Sequence, residues 1–177
     1  LLKAGFIVTA IARSKEKVEQ LKARGIDARP GDLSDVQSLK AASEGADYIA
    51  FVLPLERDKS KIALYTANVI EVARAANIRN LVFNLSSRVP QQDNIVPGFA
   101  EKHLVEAQIR DSGLPYIVLR PTIYMENLAA PWSVTDVNDN SCVKYPIGEH
   151  KKIRWNSADD VARYVVADLT KTELAGR

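Results

Sequence analysis

Leu1-Leu2-Lys3-Ala4-Gly5-Phe6-Ile7-Val8-Thr9-Ala10-Ile11-Ala12-Arg13-Ser14-Lys15 opens the chain, and its order decides the fold. Gly5 is placed to stop a helical turn, because glycine takes the left-handed conformation that ends helices. Residues 6–12 follow as a nearly unbroken apolar run, the pattern of a strand buried on both faces. The run closes on Arg13 and Lys15, with Ser14 between them. Helix end, apolar strand and cation follow one another as in the second half of a βαβ unit. The order predicts that a first strand and a glycine-rich turn precede Leu1.

Outward from that stretch the alternation continues. Ser14 caps a predicted helix over residues 15–24, with Val18 and Leu21 on one face and Gly25 as its stop. Residues 26–29 read as a short strand. Ser34-Asp35-Val36-Gln37 has capping-box spacing and opens a helix that closes at Gly45. Residues 47–53 read as the next strand. Over residues 59–76, Ile62, Tyr65, Val69, Val72 and Ala76 recur at helical spacing, and Asn77 serves as a left-handed cap. Strands over 81–85 and 115–120 flank a helix over 97–111 that ends before Gly113. Residues 88–96 form a polar, proline-bounded loop.

Apolar strands separated by helices predict an α/β fold: a doubly wound, Rossmann-like parallel sheet in three αβα layers, its first strand absent from this chain. In that order the missing strand lies centrally, between those at residues 6–12 and 47–53. Residues 1–177 alone are therefore expected to be unstable and to bind a cofactor poorly, since two strand edges lack partners. Residues 1–127 make up the nucleotide-binding part. Residues 128–177, where the pattern weakens, begin a smaller substrate-side region packed on it, within one structural domain. There residues 153–155 read as a strand, and Ser157 caps a helix over 158–169.

Composition narrows the function classes. The chain has 177 residues, 46% of them hydrophobic and 26% charged, enough for one domain with its own core. A net charge of +2 without a dense basic run does not mark a nucleic-acid surface. No apolar run reaches the ~20 residues of a membrane span. Cys142 is the single cysteine, which excludes an internal disulfide and fits a reducing, cytoplasmic setting. His103 and His150 lack the neighbours of a metal site, so no metal is expected. Trp132 and Trp155 are expected to cover the core, Trp132 alternatively to line a ligand site.

In a doubly wound sheet, ligands bind beyond the carboxyl ends of the strands. Arg13, Ser14 and Lys15 follow the first strand, where an acidic residue would accept from ribose hydroxyls and repel a 2′-phosphate. Two cations, a hydroxyl and a helix start favour that phosphate instead, hence NADP(H) over NAD(H). Asp32 and Leu33 follow the next strand. The carboxylate is placed to accept from an adenine amino group while Leu33 packs on the ring, or else to satisfy its own turn. Leu53, Pro54 and Ser87 mark further strand ends. Ser87 offers a hydroxyl to a substrate oxygen, or to local backbone groups.

Lys102 followed by Glu106, then Ser112-Gly113-Leu114-Pro115-Tyr116, Leu119-Arg120-Pro121 and Tyr124-Met125-Glu126-Asn127, together resemble the NmrA-like branch of the atypical short-chain dehydrogenases/reductases. Gly31-Asp32-Leu33 and Asp159-Asp160-Val161-Ala162 extend the likeness over essentially the whole chain. The resemblance implies that Lys102 reaches the nicotinamide ribose, that Pro121 and Thr122 lie beside the nicotinamide, and that Tyr124 and Asn127 border the substrate. It also offers Lys102 as a catalytic base, as in isoflavone-reductase-like enzymes. From the residues alone, Lys102 is also readable as a surface cation paired with Glu106, although that order is the weaker one for a helix pair. Arg120 reads as anchoring its strand end through a carboxylate. One position departs from the superfamily: four residues before Lys102, where its dehydrogenases place a catalytic tyrosine, stands Gly98. A tyrosine–lysine proton relay of the usual kind cannot operate there.

Two readings follow. One is an NADPH-dependent reductase of a small planar acceptor such as a quinone, whose oxyanion product takes its proton from water and needs no strong protein acid. The other is a non-catalytic NADP(H) redox sensor that regulates a protein partner.

Overall fold

The computed structural model describes residues 1–54, 56, 58–87, 99–143, 145 and 150–176. Strands and helices alternate: β1 (Thr9–Ala12), α1 (Lys15–Lys22), β2 (Asp27–Pro30), α2 (Val36–Ala42), β3 (Tyr48–Val52), α3 (Lys59–Ala75), β4 (Asn80–Asn84), α4 (Phe99–Asp111), β5 (Tyr116–Leu119), β6 (Ile123–Tyr124), α5 (Pro131–Asn140), β7 (Trp155–Asn156) and α6 (Ala158–Thr170). Every strand pair among the described residues is parallel: β1 with β2, β4 between β3 and β5, and β6 with β7. The α/β Rossmann-like class read from the sequence is the one observed.

The core forms around β4, whose five residues are all buried. Its odd positions, Leu81 and Phe83, join Ile70 and Ala73 of α3 and Val105 and Ile109 of α4 in one cluster. At its start it meets α6, where Asn80 Nδ2 donates to the Asp168 carbonyl at 2.8 Å. A strand covered on both faces is apolar except where a polar side chain finds a partner, as Asn80 Nδ2 does, and burying each large apolar side chain contributes about 1.5–3 kcal/mol. Helix α3 supplies the apolar stripe predicted for it, and Asn77 closes it at φ 50°.

Sheet continuity differs from the single doubly wound sheet expected. β1 and β3 do not pair among the described residues; a cleft of about 1020 Å³ lies between them, lined by both strands and by Leu39, Tyr65 and Val69. It occupies the place where the doubly wound order puts a central strand. Pairing with β2 covers residues 9–12 only, so β1 is shorter than the predicted run: residues 6–8 are not strand, and Ile7 is 99% exposed.

Other differences are local. The cap of α2 is Asp35 rather than Ser34, because the Asp35 carboxylate accepts from Gln37 N and Ser38 N while the Ser34 hydroxyl turns back to Asp32. Helix α5 has no counterpart in the sequence reading; its polar sequence lacks an apolar stripe, and it starts on Pro131. Trp132 does not cover the core but is 73% exposed, whereas Trp155 packs edge-on against Tyr145 at 5.1 Å. The strand predicted over 153–155 is the β7 pair instead. The loop predicted at 88–96 and Gly98 lie outside the described residues. No helix among the described residues is long and apolar enough to cross a membrane.

Candidate active site

Carboxyl ends of the strands carry the predicted residues, in two groups. The first borders the cleft between β1 and β3: Arg13, Asp32, Leu33 and Pro54 all line it. Arg13 is exposed at the end of β1, and Ser14 caps α1, its Oγ accepting from Lys17 N at 3.2 Å. The Ser14 hydroxyl proton is thus available to an anion at the helix start, with the exposed Lys15 next to it. The Asp32 Oδ1 accepts from Ser34 Oγ at 2.6 Å and Ser34 N at 2.8 Å. The Ser34 hydroxyl, then the Ser34 backbone N–H, hold this carboxyl below the usual aspartate range, and nearby Arg13 adds to the effect. Asp32 therefore fills the local role read for it, its second oxygen having no hydrogen bond among the described residues. Leu33 packs against the core cluster, and its carbonyl accepts from Asn68 Nδ2 at 2.7 Å. Leu53 packs against the same cluster.

The second group gathers at the end of β4, approached from both faces. From α4, Lys102 Nζ donates to the Leu85 carbonyl at 2.9 Å and to Ser87 Oγ at 2.5 Å. Its expected partner Glu106 is engaged by Arg120, which gives Arg120 the anchoring role read for it. An exposed pair of that kind contributes at most about 1 kcal/mol. Lys102 is turned inward, and burial holds its ammonium below the ordinary lysine range. From the opposite face, Tyr124 Oη accepts from Asn84 Nδ2 at 3.1 Å.

The remaining predicted residues are not joined to these groups by hydrogen bonds. Thr122 N and Oγ1 both donate to Asn156 Oδ1 at 2.7 Å, so its hydroxyl fastens β6 to β7. Asn127 Nδ2 donates to Tyr145 Oη at 2.9 Å. Pro121 lines a separate small cavity of about 210 Å³ with Asn156 and Tyr164. Asn84, Asn156 and Tyr145 were not singled out in the sequence. Asn84 had a signal, as a polar residue ending an otherwise apolar buried strand, where it must find partners.

The donor set fits a nicotinamide dinucleotide. Cations and a helix start lie at one strand end, an apolar wall with Leu33 and Pro54 beside them, and a half-buried ammonium with a serine hydroxyl at another. Among the described residues no group of three or more His, Cys, Asp or Glu could hold a metal ion.

A family model described as the NmrA-like family matches residues 1–175. NAD(P)H azoreductase of Xenophilus azovorans is 27% identical over 164 residues, 92% of this chain and 54% of the relative. Quinone oxidoreductase 2 of Escherichia coli (strain K12) is 30% identical over 124 residues, 70% of this chain and 42% of the relative. The chain thus spans about half the length of these curated relatives. Among solved structures, the triphenylmethane reductase of Citrobacter sp. complexed with NADP(H) superposes with a TM-score of 0.59 at 27% identity, covering 68% of this chain and 42% of that one.

Proposed function

The chain belongs to the NmrA-like family, and from that premise we propose that it is the nucleotide-binding part of an NADPH-dependent reductase acting on a small planar acceptor such as a quinone or a dye. The observation that carries this reading is Lys102, whose ammonium is drawn to the end of β4 onto Leu85 O and Ser87 Oγ. A half-buried ammonium costs stability, and a cation used only for solubility would not be placed there. Relatives named for azo, quinone and triphenylmethane reduction support the acceptor class.

Bound NADPH supplies the hydride. The chain's own residues do the rest. Arg13, Ser14 and Lys15 hold the 2′-phosphate, and Leu33, Leu53 and Pro54 wall the adenosine side. Lys102 donates to the nicotinamide ribose and orients Ser87. Because Ser87 Oγ accepts from Lys102, its own proton is free to point at a substrate oxygen. Pro121 and Thr122 border the nicotinamide, and Tyr124 and Asn127 the acceptor. A quinone suits a sequence that has Gly98 at the position of the superfamily's tyrosine, since its reduced oxyanion takes a proton from water.

The test is NADPH absorbance followed in the full-length protein with quinones, azo dyes and triphenylmethane dyes. Turnover with at least one class is expected. Saturable NADPH binding with no turnover would remove the reductase reading and favour the redox sensor. Since burial lowers the Lys102 pKa, this ammonium deprotonates at a lower pH than an ordinary lysine at about 10.4. NADPH affinity should accordingly decline on the alkaline side before that value, and more steeply than in Lys102→Arg.

A further inference from the structure

The end of β4 fixes the direction of a hydrogen bond, and with it the role of a phenol. Ser86 follows β4 with φ 55°, and its backbone N–H donates to Asn84 at 2.7 Å. A backbone N–H can only donate, so the atom it meets must be the amide oxygen Oδ1. The other amide atom is then Nδ2, and Nδ2 can only donate. It lies 3.1 Å from Tyr124 Oη, which must therefore accept. Asn84 is buried, at 5% exposure, so its amide is held by these two partners and not by water. A phenol oxygen that accepts from one side keeps its own proton for the other. Among the described residues, Tyr124 has no acceptor for that proton.

We infer that Tyr124 is the hydrogen-bond donor to the acceptor atom that gains negative charge during reduction, and that Asn84 is the positioning residue that turns the phenol proton outward. The inference rests on the reductase reading for the identity of the ligand. Hydride delivery to a quinone adds two electrons and one hydrogen and leaves the hydroquinone monoanion. Tyr124 stabilises that oxyanion without giving up its proton, and water supplies the second hydrogen. The same geometry serves an azo nitrogen. A preorganised donor aimed where charge develops needs no reorientation as the charge appears. Tyr124 and Lys102 then act from opposite faces of one strand end, held by the consecutive residues Asn84 and Leu85.

The experiment uses the full-length protein without cofactor and 4-nitrophenolate as the oxyanion probe, its binding followed by the shift of its visible absorbance. Tyr124→Phe removes the donor. Asn84→Asp keeps the size of the side chain and an oxygen for the Ser86 N–H, but its second oxygen captures the phenol proton. Each change should weaken probe binding about tenfold or more, the scale of one hydrogen bond to a charged group. The double variant should lose no more than Asn84→Asp alone, because both changes remove the same bond and the new carboxylate is common to the two proteins. A purely structural role for Asn84 would instead add the full Tyr124→Phe loss to its own. Additive losses, an unchanged affinity in Tyr124→Phe, or no probe binding by the unaltered protein would each overturn the inference. Should Asn84→Asp fail to fold, Tyr124→Phe alone decides. Tyr124-dependent probe binding in a protein that reduces no quinone or dye would keep the Asn84–Tyr124 pair as an oxyanion-binding site and remove the reductase reading.

Discussion

The two larger parallel sheets divide the molecule into unequal halves. In β4 every residue is buried, and Leu81 and Phe83 are both 0% exposed. In β1 the pattern alternates between exposed and half-buried, and Ile11 is 41% exposed. The proposed chemistry divides along the same line. Lys102, Ser87, Asn84 and Tyr124 assemble around the end of the packed strand, where atoms must be held to fractions of an ångström. Arg13, Ser14 and Lys15 stand at the end of the sparse one, as two exposed charges and a hydroxyl. A phosphate is recognised by charge and by helix N–H groups, and tolerates a loosely packed frame. A hydride acceptor demands a rigid one.

The largest effect that can break this comparison comes from the packed half. Phe83→Ala should cost about 3–5 kcal/mol in urea denaturation, while Ile11→Ala should cost about 1 kcal/mol or less. Equal losses would mean that the two halves are equally packed. Next comes the seam between β1 and β2. A Cβ at Gly31 would meet Ile11 Cγ2 at 2.6 Å. Gly31→Ala should therefore destabilise by about 1–3 kcal/mol, and adding Ile11→Ala should recover most of it. No recovery in the double variant would place the strain elsewhere. The smallest effect concerns acid. Asp32 has its carboxyl pKa lowered by the Ser34 hydroxyl and backbone N–H. Its stabilisation is complete above the ordinary value of 3.8 and is lost as pH falls through the lower folded value. Ser34→Ala should shrink that loss by less than about 1 kcal/mol, because the group is exposed to solvent. Thermal midpoints measured against pH on both proteins would show it, and parallel curves would dismiss the contribution.

Much of this was legible in the sequence because local signals and burial agree there. β4 reads as apolar because it is covered on both faces, and α3 carries its stripe because one face meets that strand. Arg120 could be assigned to a carboxylate because a strand-end guanidinium needs an anchor, but helical spacing offered Glu106 to Lys102 rather than to Arg120. The misses have common physical causes. Residues 6–8 look like strand, but pairing is a property of the whole sheet, and β2 pairs only with residues 9–12. Helix α5 starts on Pro131 and has no apolar stripe to announce it. The partners of Asn84 and Asn156 lie 40 and 34 positions away, a separation that sequence spacing does not reveal.

The division of labour between the halves is tested most directly by calorimetric titration of NADPH and NADH into the full-length protein, Arg13→Glu and Lys102→Ala. The account predicts that Arg13→Glu weakens NADPH about tenfold and leaves NADH nearly unchanged, since only NADPH carries the 2′-phosphate. Lys102→Ala should weaken both by the same factor, since both share the nicotinamide ribose. Equal losses of the two cofactors in Arg13→Glu, or unchanged affinities in Lys102→Ala, would contradict it.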